Sequence, residues 1–147
     1  MCIRDSCHPD DWTVDVRDNF VKLIQGSYVY TLTLNPLVTG GGFGYIGDGI
    51  LTGVTYSTEP LSVLGATATK KSCLTSSNKW CGSVINEARD FPPNGGIIVD
   101  GNRYGIIYGY TITDYSTLEA TLPLNTDTTH QTIINEMDWI SEHLEVE

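Results

Sequence analysis

From Asn19 to about Leu124 the chain is written in short apolar runs rich in Val, Ile, Thr and Tyr, separated by Gly, Asn, Asp and Pro. Alternation with a period of two over four to eight residues marks strands with one buried face. The runs 20–24, 28–34, 49–56 and 61–69 each predict a strand. Asn35-Pro36 stops the second of them, and the glycines of 39–44 predict a loop. Those glycines are not a nucleotide fingerprint, because no helical pattern follows them.

Residues 92–109 predict a β-hairpin. Ile97-Ile98-Val99 and Tyr104 to Ile112 flank Asp100-Gly101, a pair suited to a tight turn with positive φ. The period changes only near the C-terminus. Thr128-Thr129-His130-Gln131 reads as a capping box. Ile133, Met137, Ile140 and Leu144 then recur at helical spacing, with Trp139 beside the stripe and Ile134 and Ser141 in phase. A terminal helix docked on an all-β body is the expected architecture, of the sandwich or barrel kind.

At 147 residues the chain is expected to be one domain with its own core, or part of a larger one. Eight basic and 18 acidic residues give a formal net charge of −10. The acidic residues are scattered, which argues against nucleic acid or an anionic membrane as partner. No apolar run is long enough for a membrane span, and no signal peptide is visible. Met1-Cys2-Ile3-Arg4-Asp5-Ser6 looks like the translation of a sequencing-library transposon end, which sets residues 1–6 apart from a domain over 7–147.

Cys2 falls in that segment, and Cys7 has no obvious local partner. Cys73 and Cys81 stand eight apart around Leu-Thr-Ser-Ser-Asn-Lys-Trp. The spacing suits a small disulfide-closed loop, with two free thiols as the alternative. It does not match a zinc pattern, and no metal or cofactor is expected.

The segment Pro92-Pro93-Asn94-Gly95-Gly96-Ile97-Ile98-Val99, its turn and the strand Gly105-Ile106-Ile107-Tyr108-Gly109 resemble the region around the nucleophile in trypsin/chymotrypsin-family serine proteases. That family carries Gly-Asp-Ser-Gly-Gly-Pro-Leu-Val, then a strand of the type Gly-Ile-Val-Ser-Trp-Gly. Further matches follow in chain order. His8-Pro9-Asp10-Asp11-Trp12 resembles the family's His-Pro-x-Tyr segment, and residues 18–23 resemble its aspartate strand. Residues 49–55 resemble the strand that opens the second barrel. Residues 61–64, leading to Cys73, resemble the strand after it. Trp80-Cys81-Gly82 resembles Ile-Cys-Ala-Gly, and 137–140 resemble the closing Tyr-x-x-Trp-Ile.

The resemblance implies a trypsin-like double antiparallel β-barrel. Here it would comprise the end of barrel 1 plus barrel 2 (about 46–147), with a C-terminal α-helix. It also implies that Cys73 and Cys81 are a bonded pair. Asn94 would stand at the serine position, where a carboxamide cannot form an acyl-enzyme. Pro93 would replace the aspartate that pairs with the mature N-terminal amine. Pro92 would replace a glycine whose N–H is an oxyanion donor, and proline has no N–H. Asp18 would be the triad aspartate, with Asn19 competing for the register. Ala88 would lie at the base of the specificity pocket, and Tyr108, Gly109 and Tyr110 along the substrate strand. His130 would lie near the pocket floor. Ser76, Ser77 and Ser83 are nearby serines, none in a Gly-x-Ser-Gly-Gly context.

The functional expectation is therefore a secreted or extracellular, catalytically inactive serine protease homologue that acts by binding a protein or peptide ligand. One alternative is an active serine endopeptidase whose active-site loop is garbled or misaligned in this sequence. The other is an unrelated extracellular all-β binding module.

Overall fold

A computed structural model of the chain describes residues 2–3, 6–7, 9–16, 20–34, 53–86, 96–110 and 122–145. Two short strands, β1 (Cys2–Ile3) and β2 (Ser6–Cys7), pair with each other. The other eight are β3 (Thr13–Val16), β4 (Phe20–Gln25), β5 (Tyr28–Leu34), β6 (Thr55–Val63), β7 (Ala66–Leu74), β8 (Trp80–Ile85), β9 (Ile97–Val99) and β10 (Asn102–Tyr110). They form one antiparallel sheet, ordered β3-β4-β5-β10-β8-β7-β6, with β9 also paired to β10. Among the described residues one helix, α1 (Thr128–Glu142), follows. The chain is thus mostly antiparallel β-sheet with one C-terminal helix, and among the described residues β3 and β6 end the ladder without pairing to each other.

β10 is the middle strand. β5 runs along one side of it from Tyr104↔Leu34 to Tyr110↔Tyr28. Along the other side lie first β9, ending at Tyr104↔Ile97, and then β8, from Ile106↔Ile85 to Tyr108↔Ser83. The β5–β10 ladder joins residues on opposite sides of the barrel boundary expected near residue 46.

The period-two pattern places one face of this sheet under the helix. Val21 and Leu23 of β4, Tyr28, Tyr30 and Leu32 of β5, and Tyr104, Ile106 and Tyr108 of β10 are all buried in one cluster with the helix. From α1 and the turn after it come Ile133, Met137, Ile140 and Leu144, the stripe predicted from helical spacing. Burying each such side chain contributes about 1.5–3 kcal/mol, which is why the helix sits where it does. A smaller cluster on Cys73, Cys81, Val84, Ile107 and Leu122 covers the other side of β8 and β10.

Local chemistry sets the turns. Asp100 and Gly101 both have positive φ, as the Asp-Gly pair predicts. The run 61–69, expected to be one strand, is instead a hairpin. β6 ends at Val63, Leu64 and Gly65 both take positive φ, and β7 starts at Ala66. The expected strand 49–56 is also displaced. Gly53 and Val54 are not in a strand, and β6 runs from Thr55 through the polar, exposed stretch up to Pro60. No apolar alternation marks that stretch, and β6 is a terminal strand of the ladder, where proline is tolerated. The helix cap lies one residue earlier than the expected capping box. Asp127 is the N-cap, and its carboxylate accepts from the His130 N–H at 3.0 Å.

Candidate functional site

Five residues of the expected site, Asp18, Ala88, Pro92, Pro93 and Asn94, lie outside the described residues. The residues that flank the last four in the chain, Asn86 and Gly96, are described. Asn86, with φ 50°, donates its backbone N–H to the Thr69 carbonyl at 2.8 Å, and its carbonyl accepts from the Gly96 N–H at 2.8 Å. Its side chain repeats the pattern. Oδ1 accepts from the Thr69 N–H at 2.7 Å, and Nδ2 donates to the Gly96 carbonyl at 3.2 Å. One asparagine therefore ties residues 86 and 96, which flank positions 87–95, to β7. The Gly-Gly match in the sequence includes the residue this clasp requires. Gly96 has φ +76°, and a Cβ there would come within 2.6 Å of the Tyr104 carbonyl oxygen. The positive φ of Asn86 is favoured by its short polar side chain, but nothing in the local pattern singled it out.

Tyr108, Gly109 and Tyr110, the expected substrate strand, are the C-terminal end of β10. β5 pairs with all three, through Tyr30, Val29 and Tyr28. On the other side β8 pairs through Tyr108↔Ser83, and the Tyr110 hydroxyl donates to the Trp80 carbonyl at 3.2 Å. Tyr108 is fully buried.

Beneath the helix these tyrosines form a polar network. The Tyr108 hydroxyl donates to Asp138 Oδ1 at 2.9 Å and lies 2.8 Å from Ser141 Oγ. The Tyr30 hydroxyl lies 3.0 Å from the same Ser141 oxygen. Lys70, only 3% exposed, donates to both Asp138 oxygens at 2.9 Å and ion-pairs with Glu59 at 2.6 Å. Its ammonium also lies 5.8 Å from the Tyr108 ring centroid. Each buried polar group here has a partner, as a low-dielectric interior requires. Burial raises the Tyr30 and Tyr108 phenols well above their ordinary value. The Asp138 carboxylate adds to the rise in both, and in Tyr108 the neighbouring Tyr30 does so as well.

At the other end of the helix, Tyr28, Trp80 and Tyr110 form an aromatic cluster that closes on His130. His130 is buried within it. Burial likewise raises the phenols of Tyr28 and Tyr110.

Ser83 and Ser141 are fully buried serines near this network. Trp80 Nε1 donates to Ser83 Oγ at 2.9 Å, and Ser72 Oγ lies 2.7 Å from it. Ser141 faces two phenols that remain protonated at neutral pH. A serine nucleophile needs a basic partner within hydrogen-bond reach, and neither hydroxyl has a histidine there among the described contacts.

No family model, curated protein or solved structure matches this chain.

The remaining expectation on the described residues concerns the cysteines. Cys73 and Cys81 are joined by a disulfide, with Cα atoms 5.1 Å apart. It closes the turn between β7 and β8, next to a register shift at Cys73/Leu74. Among the described residues no group of three His, Cys, Asp or Glu side chains could hold a metal ion. No helix among them is long and apolar enough to cross a membrane.

Proposed function

We propose that this chain is an extracellular β-sheet binding module for a protein or peptide ligand, without peptidase activity. The observation that carries this reading is the occupancy of β10. A peptidase of the trypsin kind pairs its substrate, as an added strand, with the segment matched here by Tyr108-Gly109-Tyr110. In this chain β5 pairs with that segment throughout, and β8 flanks it through Tyr108. A substrate strand pairing with Tyr108 would have to displace β5 or β8 from it. The sequence supports the same conclusion, since Asn94 and Pro92 supply neither a nucleophile nor an oxyanion N–H at the matched positions. The Cys73–Cys81 disulfide supports an oxidising compartment.

Two ancestries are compatible with that activity. A trypsin-like double barrel that has lost catalysis rests on the residue matches along the chain. An unrelated all-β module is favoured by the continuous β5–β10 ladder, which runs between segments that the matches assign to different barrels.

A complex peptide library incubated with the full chain, then separated by size and sequenced, tests the activity. The expected result is a subset of peptides retained with the protein and recovered uncut. Cleaved peptides, or labelling by a serine-directed phosphonate, would overturn the reading. So would the absence of any retained peptide.

A further inference from the structure

His130 occupies an unusual position for an ionisable group. It lies in the first turn of α1, is 1% exposed, and packs between elements of the sheet. Its ring centroid is 5.8 Å from Tyr28 of β5 and 5.3 Å from Trp80 of β8. Nδ1 lies 3.0 Å from the Tyr28 hydroxyl. Nε2 is buried and has no hydrogen-bond partner among the described residues. The titratable groups around it are Tyr28 from β5, Tyr110 of β10 behind Tyr28, and Asp127 at the helix cap. Trp80 from β8 carries no charge. The rest of the helix is held by other contacts, Glu136 to Trp12, Asp138 to Lys70 and Tyr108, and Ser141 to Tyr30.

We propose that His130 is an acid-sensitive latch, and that its protonation releases the first turns of α1 from the aromatic cluster on the sheet. The neutral ring has one donor and one acceptor nitrogen, and Tyr28 meets the one at Nδ1. The imidazolium has two N–H donors, and the Nε2 donor would be a buried charge with no acceptor among the described residues. Burial accordingly lowers the pKa of His130 from its ordinary value, and the Asp127 carboxylate opposes this only in part. The sign follows directly. The released helix takes up a proton near the ordinary histidine value of about 6.5, whereas the docked helix resists it. Docking is therefore at full strength above that value and weakens as pH falls below it, by up to about ten-fold in the docking equilibrium per pH unit. Release would uncover Tyr28, Trp80 and Tyr110, a surface suited to binding an aromatic or apolar side chain.

Two measurements on the full chain test this. In the first, the imidazole proton resonances are followed by NMR from pH 8 to 4.5, with His8→Gln and His143→Gln variants for assignment. The expected result is a His130 midpoint below 6.5, with amide exchange of residues 129–133 accelerating beyond its intrinsic pH dependence over the same range. A midpoint at or above 6.5, or protection that does not change, would overturn the proposal. In the second, His130→Phe keeps a ring in the cluster but cannot take a proton. Its unfolding equilibrium is expected to change several-fold less than the wild type's between pH 7 and 5. Equal pH dependence in the two proteins would overturn the proposal. Should the variant not fold, the wild-type titration decides alone.

Discussion

Tyr30 and Tyr108 lie directly opposite each other on β5 and β10, and both hydroxyls meet the single hydroxyl of Ser141 on the helix. The contact ties the centre of the sheet to the C-terminal end of α1. Tyr108 has a second partner in Asp138, whereas the Ser141 contact is the side-chain bond that holds the Tyr30 hydroxyl. Replacing Ser141 by Ala thus strands a buried phenol. The expected loss is about 1–3 kcal/mol of unfolding free energy, measured by urea denaturation. Tyr30→Phe in the Ser141→Ala background should cost less than Tyr30→Phe alone, because the orphaned group is then gone.

The Asn86 clasp makes Gly96 irreplaceable. In Gly96→Ala the added methyl would meet the Tyr104 carbonyl at 2.6 Å, on a backbone with φ +76°. The backbone strain alone is expected to cost about 1–3 kcal/mol. Gly65→Ala is the control. It shares a positive φ of +78° but its Cβ would meet nothing within 4 Å, so its melting temperature should fall by less.

Reduction of Cys73–Cys81 should destabilise the fold without abolishing it. The bridge closes a short loop, with a sequence separation of 8, for which the loop-closure contribution is about 2–3 kcal/mol. The paired Cys73→Ala/Cys81→Ala variant should show a lower urea midpoint with a nearly unchanged slope.

Alkaline pH should unfold the chain through its buried phenols. Burial raises the pKa of Tyr28, Tyr30, Tyr108 and Tyr110, so the folded state holds their protons more tightly than the unfolded chain. Their contribution is complete below the unfolded value of about 10 and is lost as pH rises above it, at up to about 1.4 kcal/mol per pH unit for each phenol. Ultraviolet difference absorbance should show these four ionising together with loss of circular dichroism. Their ionisation in the intact fold would contradict the burial described here.

The parts of the fold that were legible in the sequence were those governed by local periodicity. β5 follows strict alternation from Tyr28 to Leu34. The α1 stripe follows helical spacing, and the β9–β10 turn follows from Asp100-Gly101. The β6–β7 hairpin was hidden because Leu64-Gly65 interrupts an otherwise apolar run without a stronger turn signal. The outer half of β6 was hidden because its side chains are exposed and polar. Ser141, Lys70 and Asp138 were beyond reach for a different reason. Their significance lies in contacts across 30 or more residues, such as Tyr108 to Asp138 and Lys70 to Asp138, and no local pattern encodes which distant side chain completes a buried polar group.

The central position of β10 carries the functional account, and backbone amide exchange tests it most directly. In a strand paired on both sides, consecutive amides are protected, whereas in an edge strand every second amide is open to solvent. Ile106, Ile107 and Tyr108 pair with β5 on one side and β8 on the other. The account predicts that all three amides exchange only on global unfolding. Alternating protection, with a fast-exchanging amide between slow ones, would mean that one side of β10 is open to a substrate strand, and would contradict it.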